Sequence, residues 1–128
     1  MNGRGVLITG ASGKGKSSLA LQLMAIGADL VSDDQTIVER RGNDLVASCP
    51  PAILGCIEAR GFGLLKVPAQ KTCTLSLVVD LDQEDRSRLP QERQFTLLGC
   101  HVDLAFGPVT AHFPAAIALC LRYGRATV

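Results

Sequence analysis

The sequence predicts an α/β or α+β domain in which a glycine-rich loop joins a buried strand to a helix. Three observations predict it. Val6–Thr9 is a short, β-branched apolar run that ends at Gly10, the pattern of a buried strand. Residues 17–26 then carry apolar side chains at helical spacing up to Gly27, where a helix is expected to stop. Over the rest of the chain predicted strands outnumber helices, which indicates a mixed sheet with few helices.

The remaining elements follow from short apolar runs separated by turn signals. Further strands are predicted at Leu30-Val31, at 36–39 and 44–47 as a hairpin, at 74–81, at 95–98 and at 102–106. The charged stretch 83–92 contains Pro90 and is expected to form a solvated loop or a short helix. Residues 114–123 are expected to form a closing helix with Pro114 near its first turn.

Size and composition exclude several classes of protein. A chain of 128 residues has the length of one domain, so we expect residues 1–128 to form a single domain. Apolar residues make up 47% of the chain, which excludes intrinsic disorder. The net charge is only +1, so the domain lacks the electrostatic field that gathers nucleic acid or anionic lipid. No apolar run approaches the ~20 residues that cross a bilayer. We therefore expect neither a nucleic-acid nor a membrane partner.

The cysteines indicate a reducing compartment. They number five and are far apart in sequence: Cys49, Cys56, Cys73, Cys100 and Cys120. None forms a CxxC pair and the chain has only two histidines, so a disulfide framework or a zinc site is not expected. Scattered free thiols are typical of a cytoplasmic protein.

One segment matches the phosphate-binding pattern G-x-x-x-x-G-K-[ST] at every fixed position, namely Gly10-Ala11-Ser12-Gly13-Lys14-Gly15-Lys16-Ser17. Its glycines permit positive φ angles and a close approach of the backbone to a phosphate, and successive N–H groups can form an anion nest. The helix that follows adds its N-terminal partial positive charge. Lys16 should reach the β- and γ-phosphates, and the Ser17 hydroxyl should ligate Mg²⁺. A strand before the segment and a helix after it favour a nucleotide site over a plain glycine-rich turn.

Two adjacent acids, Asp33 and Asp34, follow the predicted strand at Leu30-Val31. Neighbouring like charges repel each other, and Mg²⁺ beside a nucleotide would offset that repulsion. One Asp could then act as general base on an incoming hydroxyl, while the other is held by the metal or its waters. The alternative is an Asx-type turn or a helix cap before Gln35. The phosphate-binding loop upstream favours the functional interpretation.

A third segment, Glu58-Ala59-Arg60-Gly61-Phe62-Gly63, combines an acid, a base and two glycines. Glu58 could complete a Mg²⁺ shell, and Arg60 could neutralise charge on a transferring phosphoryl group. The alternative is a surface Glu–Arg pair before a tight turn. Asp80 and Asp82 resemble the acidic end of a Walker B strand, although this signal is weaker because apolar strands often end in Asp.

Together these segments resemble the catalytic domain of HPr kinase/phosphorylase, the bacterial enzyme that acts on a serine of the phosphocarrier protein HPr. The matching stretches are Gly5–Leu23, Gly27–Asp34 and Ile57–Leu65, in the family's order and spacing. The chain is most similar to the short forms, found in α-proteobacteria, that lack a separate N-terminal domain. The resemblance implies a P-loop nucleotide-binding fold related to phosphoenolpyruvate carboxykinase. It also implies a homo-oligomer, since full-length members form hexamers.

The resemblance implies a role for each matched residue in binding ATP and Mg²⁺. The Gly10–Ser17 loop would bind ATP or pyrophosphate, and Lys16 would be catalytic. Ser17 and Glu58 would hold Mg²⁺, and Asp34 is added to them as a candidate metal ligand on the argument from adjacent acids.

Three further residues would carry the reaction. The resemblance implies that Asp33 accepts the proton during phosphorylation and donates it during dephosphorylation. Arg60 would serve both reactions, and Arg88 corresponds to the family's later active-site arginine. The predicted function is therefore an ATP- and Mg²⁺-dependent protein-serine kinase whose partner is HPr.

The chain departs from the family's pattern in three ways. The family places a histidine upstream of the phosphate-binding strand, and no histidine precedes the loop here. Residues 104–112 contain no arginine where the family carries one linked to dephosphorylation, and the closing helix is brief. Kinase activity is thus better supported than phosphorylase activity. A nucleotide-binding regulatory module without phosphotransfer and a P-loop kinase for a small metabolite stay open as alternatives.

Overall fold

The computed structural model describes residues 1–126, which contain eight strands and two α-helices. The strands are β1 (Arg4–Thr9), β2 (Ile37–Arg41), β3 (Asp44–Ser48), β4 (Cys56–Ala59), β5 (Gly63–Lys66), β6 (Thr72–Glu84), β7 (Gln94–Leu97) and β8 (Cys100–Gly107). The helices are α1 (Lys16–Ala25) and α2 (Phe113–Tyr123), and one turn of 3₁₀ helix covers Pro51–Ile53.

A six-stranded mixed sheet is built around β6. Thr74 of β6 pairs with both β1 and β3, and Leu77 pairs with both β1 and β8. It follows that β1 lies along one edge of β6, while β3 and β8 share the other edge. The β1 and β8 pairings are parallel and the β3 pairing is antiparallel. β2 and β7 extend the sheet as antiparallel partners of β3 and β8, and β4 and β5 form a separate hairpin.

The core lies on both faces of β6. On one face Leu77 and Val79 pack against α1 and α2, and on the other Val78 packs against residues of β3 and β8. Burial on both faces explains why β6 is an almost continuous apolar run instead of an alternating one. Val78 and Val79 are fully buried, and burial of one aliphatic side chain contributes roughly 1.5–3 kcal/mol. β6 therefore anchors the strands and helices that carry the candidate site.

The two helices are tied to each other at the end of α1. Leu19 and Leu23, one turn apart on α1, are buried against the sheet together with Leu121 of α2. Arg122 donates a hydrogen bond from Nη2 to the carbonyl oxygen of Ile26 over 3.1 Å. Because the last carbonyls of a helix have no partner within it, this bond caps α1 from α2. Neither helix combines the length and apolar character needed to cross a lipid bilayer.

Most predicted elements are confirmed. The first strand, the helix after the glycine-rich loop, the hairpin of β2 and β3, the strands β6 to β8 and the closing helix all form. The mixed sheet with few helices is likewise as expected. In the stretch 83–92 the helix alternative is wrong, because β6 continues to Glu84 and irregular backbone follows.

The strand predicted at Leu30-Val31 is also wrong. Leu30 makes only an isolated parallel bridge with Ala69. Its N–H donates to the carbonyl of Pro68 and its carbonyl accepts from the N–H of Gln70. Pro68 has no N–H of its own, so the ladder has no donor there to continue it.

Candidate functional site

The glycine-rich loop follows the last residue of β1 and leads directly into α1. Gly10, Gly13 and Gly15 all have positive φ angles, of 144°, 84° and 91°. An added Cβ at Gly13 or Gly15 would meet nothing within 4 Å, so the backbone conformation alone favours glycine there. The positive φ angles expected for the loop are confirmed. The loop is exposed from Ala11 to Gly15.

Helix α1 begins without a side-chain cap. Gly15 occupies the N-cap position in a left-handed conformation, and no side chain accepts from the first-turn N–H groups. The first turn of α1 also contains no acidic residue. Its uncompensated N–H groups and partial positive charge are therefore available to an anion lying in the loop.

Lys16 and Lys14 occupy different environments in the same loop. Lys16 Nζ donates to the carbonyl oxygen of Gly10 over 2.5 Å and is half-buried. Lys14 is exposed, and its backbone N–H donates to the carbonyl of Ala11 over 3.2 Å. The ammonium of Lys16 thus reaches back across the loop to its first residue, whereas Lys14 does not line the cavity beside the loop.

Ser17 and Asp33 are in direct contact. The Ser17 hydroxyl donates to Asp33 Oδ1 over 3.1 Å, and both side chains are partly buried. The structure therefore brings the first acid of the Asp33-Asp34 pair to the first turn of α1. Asp33 Oδ2 accepts a longer bond, 3.4 Å, from the backbone N–H of Glu58. One carboxylate group links the loop, the acidic segment and β4.

Two hydrogen bonds hold the acidic segment in a tight turn. The N–H of Gln35 donates to the carbonyl of Asp33 over 2.7 Å, and the hydroxyl of Ser32 donates to the carbonyl of Gln35. Asp34 has a positive φ of 68°, a conformation that Asp adopts more readily than most residues. Asp34 is exposed while Asp33 is half-buried, so the two acids point into different surroundings.

The hairpin of β4 and β5 carries the third predicted segment. Glu58 is an exposed residue of β4, and its neighbour Ile57 is fully buried. Arg60 lies at the start of the turn, which is closed by a bond of 2.9 Å from the N–H of Phe62 to the carbonyl of Ala59. The bond from the Glu58 N–H to Asp33 Oδ2 places Glu58 beside Asp33. Arg60 lies two residues further along the chain.

Arg88 lies apart from these residues in the exposed segment between β6 and β7. Within residues 1–126 its guanidinium makes no hydrogen bond or salt bridge. Two other arginines of this segment are paired: Arg93 forms a salt bridge of 2.7 Å with Asp85, and Arg86 forms one of 3.1 Å with Glu84. The structure thus places Lys16, Ser17, Asp33 and Glu58 together and leaves Arg88 outside that group.

A cavity of about 450 Å³ adjoins the site. It runs beside β1 and α1, and its lining includes Lys16, Ser17, Asp33 and Asp34. Residues 10–15 of the loop do not line it.

One contact of the site was not expected from the sequence. Asp82, considered above as part of a weak Walker B pattern, accepts a hydrogen bond at Oδ1 from the backbone N–H of Ala11 over 3.0 Å. The pairing of Thr9 with Asp80 in parallel register brings the continuation of β6 beside the loop. Sequence alone does not give that register, although an acid directly after Leu81, the last apolar residue of β6, is the available signal. Among the residues the structure describes, no group of three or more His, Cys, Asp or Glu side chains is arranged so that it could hold a metal ion.

Comparison with known proteins gives a consistent result. A curated HPr kinase/phosphorylase from Burkholderia cenocepacia is 40% identical over 72% of this chain, and that of Paraburkholderia phymatum matches to the same extent. The alignment covers 32% of each relative, so the chain spans about a third of their length.

The fold and the family model agree with these relatives. The structure of the Hpr(Ser) kinase/phosphatase from Coxiella burnetii matches with a TM-score of 0.78 and 29% identity, covering 93% of this chain and 86% of that one. The family model for the HPr Serine kinase C-terminal domain matches residues 1–111. The chain therefore belongs to the HPr Serine kinase C-terminal domain family.

Proposed function

We propose that this chain is a cytoplasmic protein-serine kinase that transfers the γ-phosphoryl group of ATP to a serine of HPr, with Mg²⁺ as cofactor. The acceptor is inferred from the names of the related proteins, HPr kinase/phosphorylase and Hpr(Ser) kinase/phosphatase. The compartment is inferred from the five free thiols, which are typical of a reducing environment.

The observation that carries the proposal is the position of Asp33 between the loop and β4. Oδ1 is engaged by the Ser17 hydroxyl at 3.1 Å, whereas Oδ2 has only the longer 3.4 Å contact with the N–H of Glu58. Oδ2 is therefore the oxygen best able to accept the proton of an incoming serine hydroxyl. A general base must lie within hydrogen-bond reach of the proton it removes, and a carboxylate at the mouth of a phosphate loop can meet that condition.

Charge on the transferring group would be stabilised by Lys16, by the loop N–H groups and by Arg60. Lys16 already lies across the loop through its bond to the Gly10 carbonyl, and α1 directs uncapped N–H groups to the same place. Catalysis of phosphoryl transfer depends on such positioning and electrostatic stabilisation more than on covalent chemistry. Arg88 would have to approach from the segment after β6, so Arg60 is the better placed arginine.

The oxygen donors near Asp33 fit a hard divalent cation. The Ser17 hydroxyl gives its hydrogen to Asp33, which leaves its lone pairs free for a metal. Glu58 and Asp34 are exposed carboxylates next to Asp33 in space and in sequence. Mg²⁺ prefers a few such oxygens together with water and substrate phosphates, and when bound it would neutralise phosphate charge. Ser17, Glu58 and Asp34 are the residues that would hold it.

A transfer assay tests the proposal directly. The protein is incubated with Mg²⁺, ATP labelled in the γ-phosphate and HPr from a related bacterium, and the product is analysed for phosphoserine. HPr with its acceptor serine changed to alanine is the matched control. The proposal predicts label on the first protein only.

Two outcomes would contradict it. Tight ATP binding without any phosphoserine would indicate a nucleotide-binding regulatory module. ATP turnover that requires a small metabolite and leaves HPr unlabelled would indicate a metabolite kinase.

A further inference from the structure

The peptide unit between Gly10 and Ala11 is held from both of its ends. Its carbonyl oxygen accepts from Lys16 Nζ at 2.5 Å, and its N–H donates to Asp82 Oδ1 at 3.0 Å. The carboxylate of Asp82 and the ammonium of Lys16 are thus joined through a single amide group. Both partners of that amide are charged, and hydrogen bonds to charged groups are the stronger ones.

The position of Asp82 follows from the register of the sheet. β1 and β6 run in parallel, and the last paired residues are Thr9 and Asp80. Continuing that register would place Ala11 opposite Asp82. The chain turns away at Gly10 instead, and the side chain of Asp82 spans the gap that the turn opens. Asp80 Oδ1 accepts from the backbone N–H of Asp82 over 2.9 Å, in the part of β6 where the pairing register with β8 shifts.

Gly10 lets the peptide come this close to β6. A Cβ at Gly10 would lie 3.3 Å from the Cβ of Leu81 and 3.5 Å from Asp82 Oδ1, and its φ is 144°. A side chain there would be both strained and crowded. The first fixed glycine of the loop therefore serves the contact with β6, whereas Gly13 and Gly15 have open space around them.

We infer that Asp82 is a positioning residue for Lys16. Its carboxylate fixes and polarises the Gly10–Ala11 peptide, and the carbonyl of that peptide holds the Lys16 ammonium at the mouth of the loop. Hydrogen bonds in a chain strengthen one another, so withdrawing the acceptor at Ala11 weakens the bond at Gly10. Lysine has a long flexible side chain, so without this hydrogen bond its ammonium group could occupy many positions. The role in phosphate binding rests on the proposed function, but the role in holding Lys16 does not.

Chemical labelling without nucleotide tests the anchor by itself. Lys16 and Lys14 are modified with an amine-acetylating reagent, and their rates are compared by mass spectrometry in wild type and Asp82→Ala. Lys14 is the internal control, because it lies in the same loop and is exposed. We expect Lys16 to react severalfold faster in Asp82→Ala while Lys14 is unchanged. Asp82→Asn, which keeps an oxygen acceptor, should remain close to wild type.

Amide hydrogen exchange of Ala11 gives the second readout. The Ala11 N–H should exchange faster in Asp82→Ala and should stay protected in Asp82→Asn. Asp103→Asn, which removes an equal charge from an exposed position of β8, should change neither readout. If Asp82→Ala does not fold, Asp82→Ser replaces it, since a serine is too short to reach Ala11. An unchanged Lys16 rate in a folded variant that has lost protection at Ala11 would overturn the inference.

Nucleotide affinity then connects the anchor to binding. With chelator present to remove metal, loss of a hydrogen bond to a charged group should weaken ADP binding about tenfold in Asp82→Ala. In a Lys16→Gln background the same change should have little further effect, because the two residues act through one peptide. Fully additive effects would contradict the inference, and an effect seen only with Mg²⁺ would assign Asp82 to the metal instead. If wild type binds no nucleotide, the proposed function fails while the labelling experiment still decides the role of Asp82.

Discussion

The hydroxyl of Ser17 donates a hydrogen bond to Asp33 Oδ1 over 3.1 Å, joining the first turn of α1 to the acidic segment that follows Val31. Because a hydroxyl has one hydrogen and two lone pairs, this bond leaves the lone pairs of the Ser17 oxygen free. The same bond occupies one oxygen of Asp33 and leaves the other less engaged. Under the proposed function, this one pair of side chains would set the geometry of both metal binding and proton transfer.

Ser17→Ala should reduce the Mg²⁺ dependence of nucleotide binding. The variant loses a candidate metal ligand and the partner of Asp33, so we expect binding of Mg²⁺–ADP to weaken about tenfold, as is usual for loss of a hydrogen bond to a charged group. Titration calorimetry with and without Mg²⁺ measures this. Ser18→Ala, an exposed neighbour on α1, is the control, and equal behaviour of the two variants would rule out Ser17 as a ligand.

Lys16→Gln and Lys14→Gln should differ sharply although both remove one charge from the same loop. The Lys16 ammonium donates a hydrogen bond to the Gly10 carbonyl. Lys14 is exposed, and it is its backbone N–H that donates, to the carbonyl of Ala11. Loss of a charge-assisted phosphate contact is expected to cost at least about tenfold in ADP affinity for Lys16→Gln. The affinity of Lys14→Gln should stay near that of wild type. The reverse order of affinities would show that the wrong lysine has been assigned.

Gly5→Ala should destabilise the pairing of β1 with β6. A Cβ at Gly5 would overlap Cys73 Sγ and would lie 3.2 Å from Cys73 Cβ, where the register between the two strands shifts. Overpacking of this kind costs about 1–3 kcal/mol of unfolding free energy. Cys73→Ala removes the sulfur, so the double variant should recover much of the loss in urea denaturation. Equal stability of Gly5→Ala and wild type would contradict the packing described for this position.

Asp85 should contribute an acid-sensitive part of the stability. The hydroxyl and the backbone N–H of Ser87, together with the Arg93 guanidinium, lower the pKa of Asp85 from 3.8 to about 2. A depressed pKa favours the ionised folded form, so its stabilising effect is complete above pH 3.8 and is lost as the pH falls toward 2. Asp85→Asn should therefore flatten the fall in unfolding free energy over that range. Asp44→Asn, an exposed position of the β2–β3 hairpin, should not.

The sequence predicts well whatever depends on local pattern. The apolar runs predict β1 and β6, because each of their side chains favours burial in a sheet. The glycines predict the loop, because positive φ angles favour glycine at each position. The sequence also predicts that the loop and the acidic segment lie close together, and the bond between Ser17 and Asp33 shows that they do.

What could not be predicted depends on pairing between distant parts of the chain. Leu30-Val31 has the composition of a strand, but its partner segment contains Pro68 and cannot extend the ladder. The role of Asp82 depends on the parallel register of β1 and β6, which no local pattern specifies. The hairpin of β4 and β5, which carries Glu58, has no clear strand pattern in the sequence, because its exposed apolar residues obscure the alternation of a strand.

The central claim is that Asp33 acts as the base at the mouth of the nucleotide loop, and single-turnover transfer to HPr by Asp33→Ala tests it most directly. Loss of a general base is expected to slow phosphoserine formation about 10²–10⁴-fold, while ADP affinity stays nearly intact. Asp29→Ala, the same change at an exposed acid four residues earlier, should transfer at the wild-type rate. Phosphoserine formation by Asp33→Ala at the wild-type rate would contradict the account.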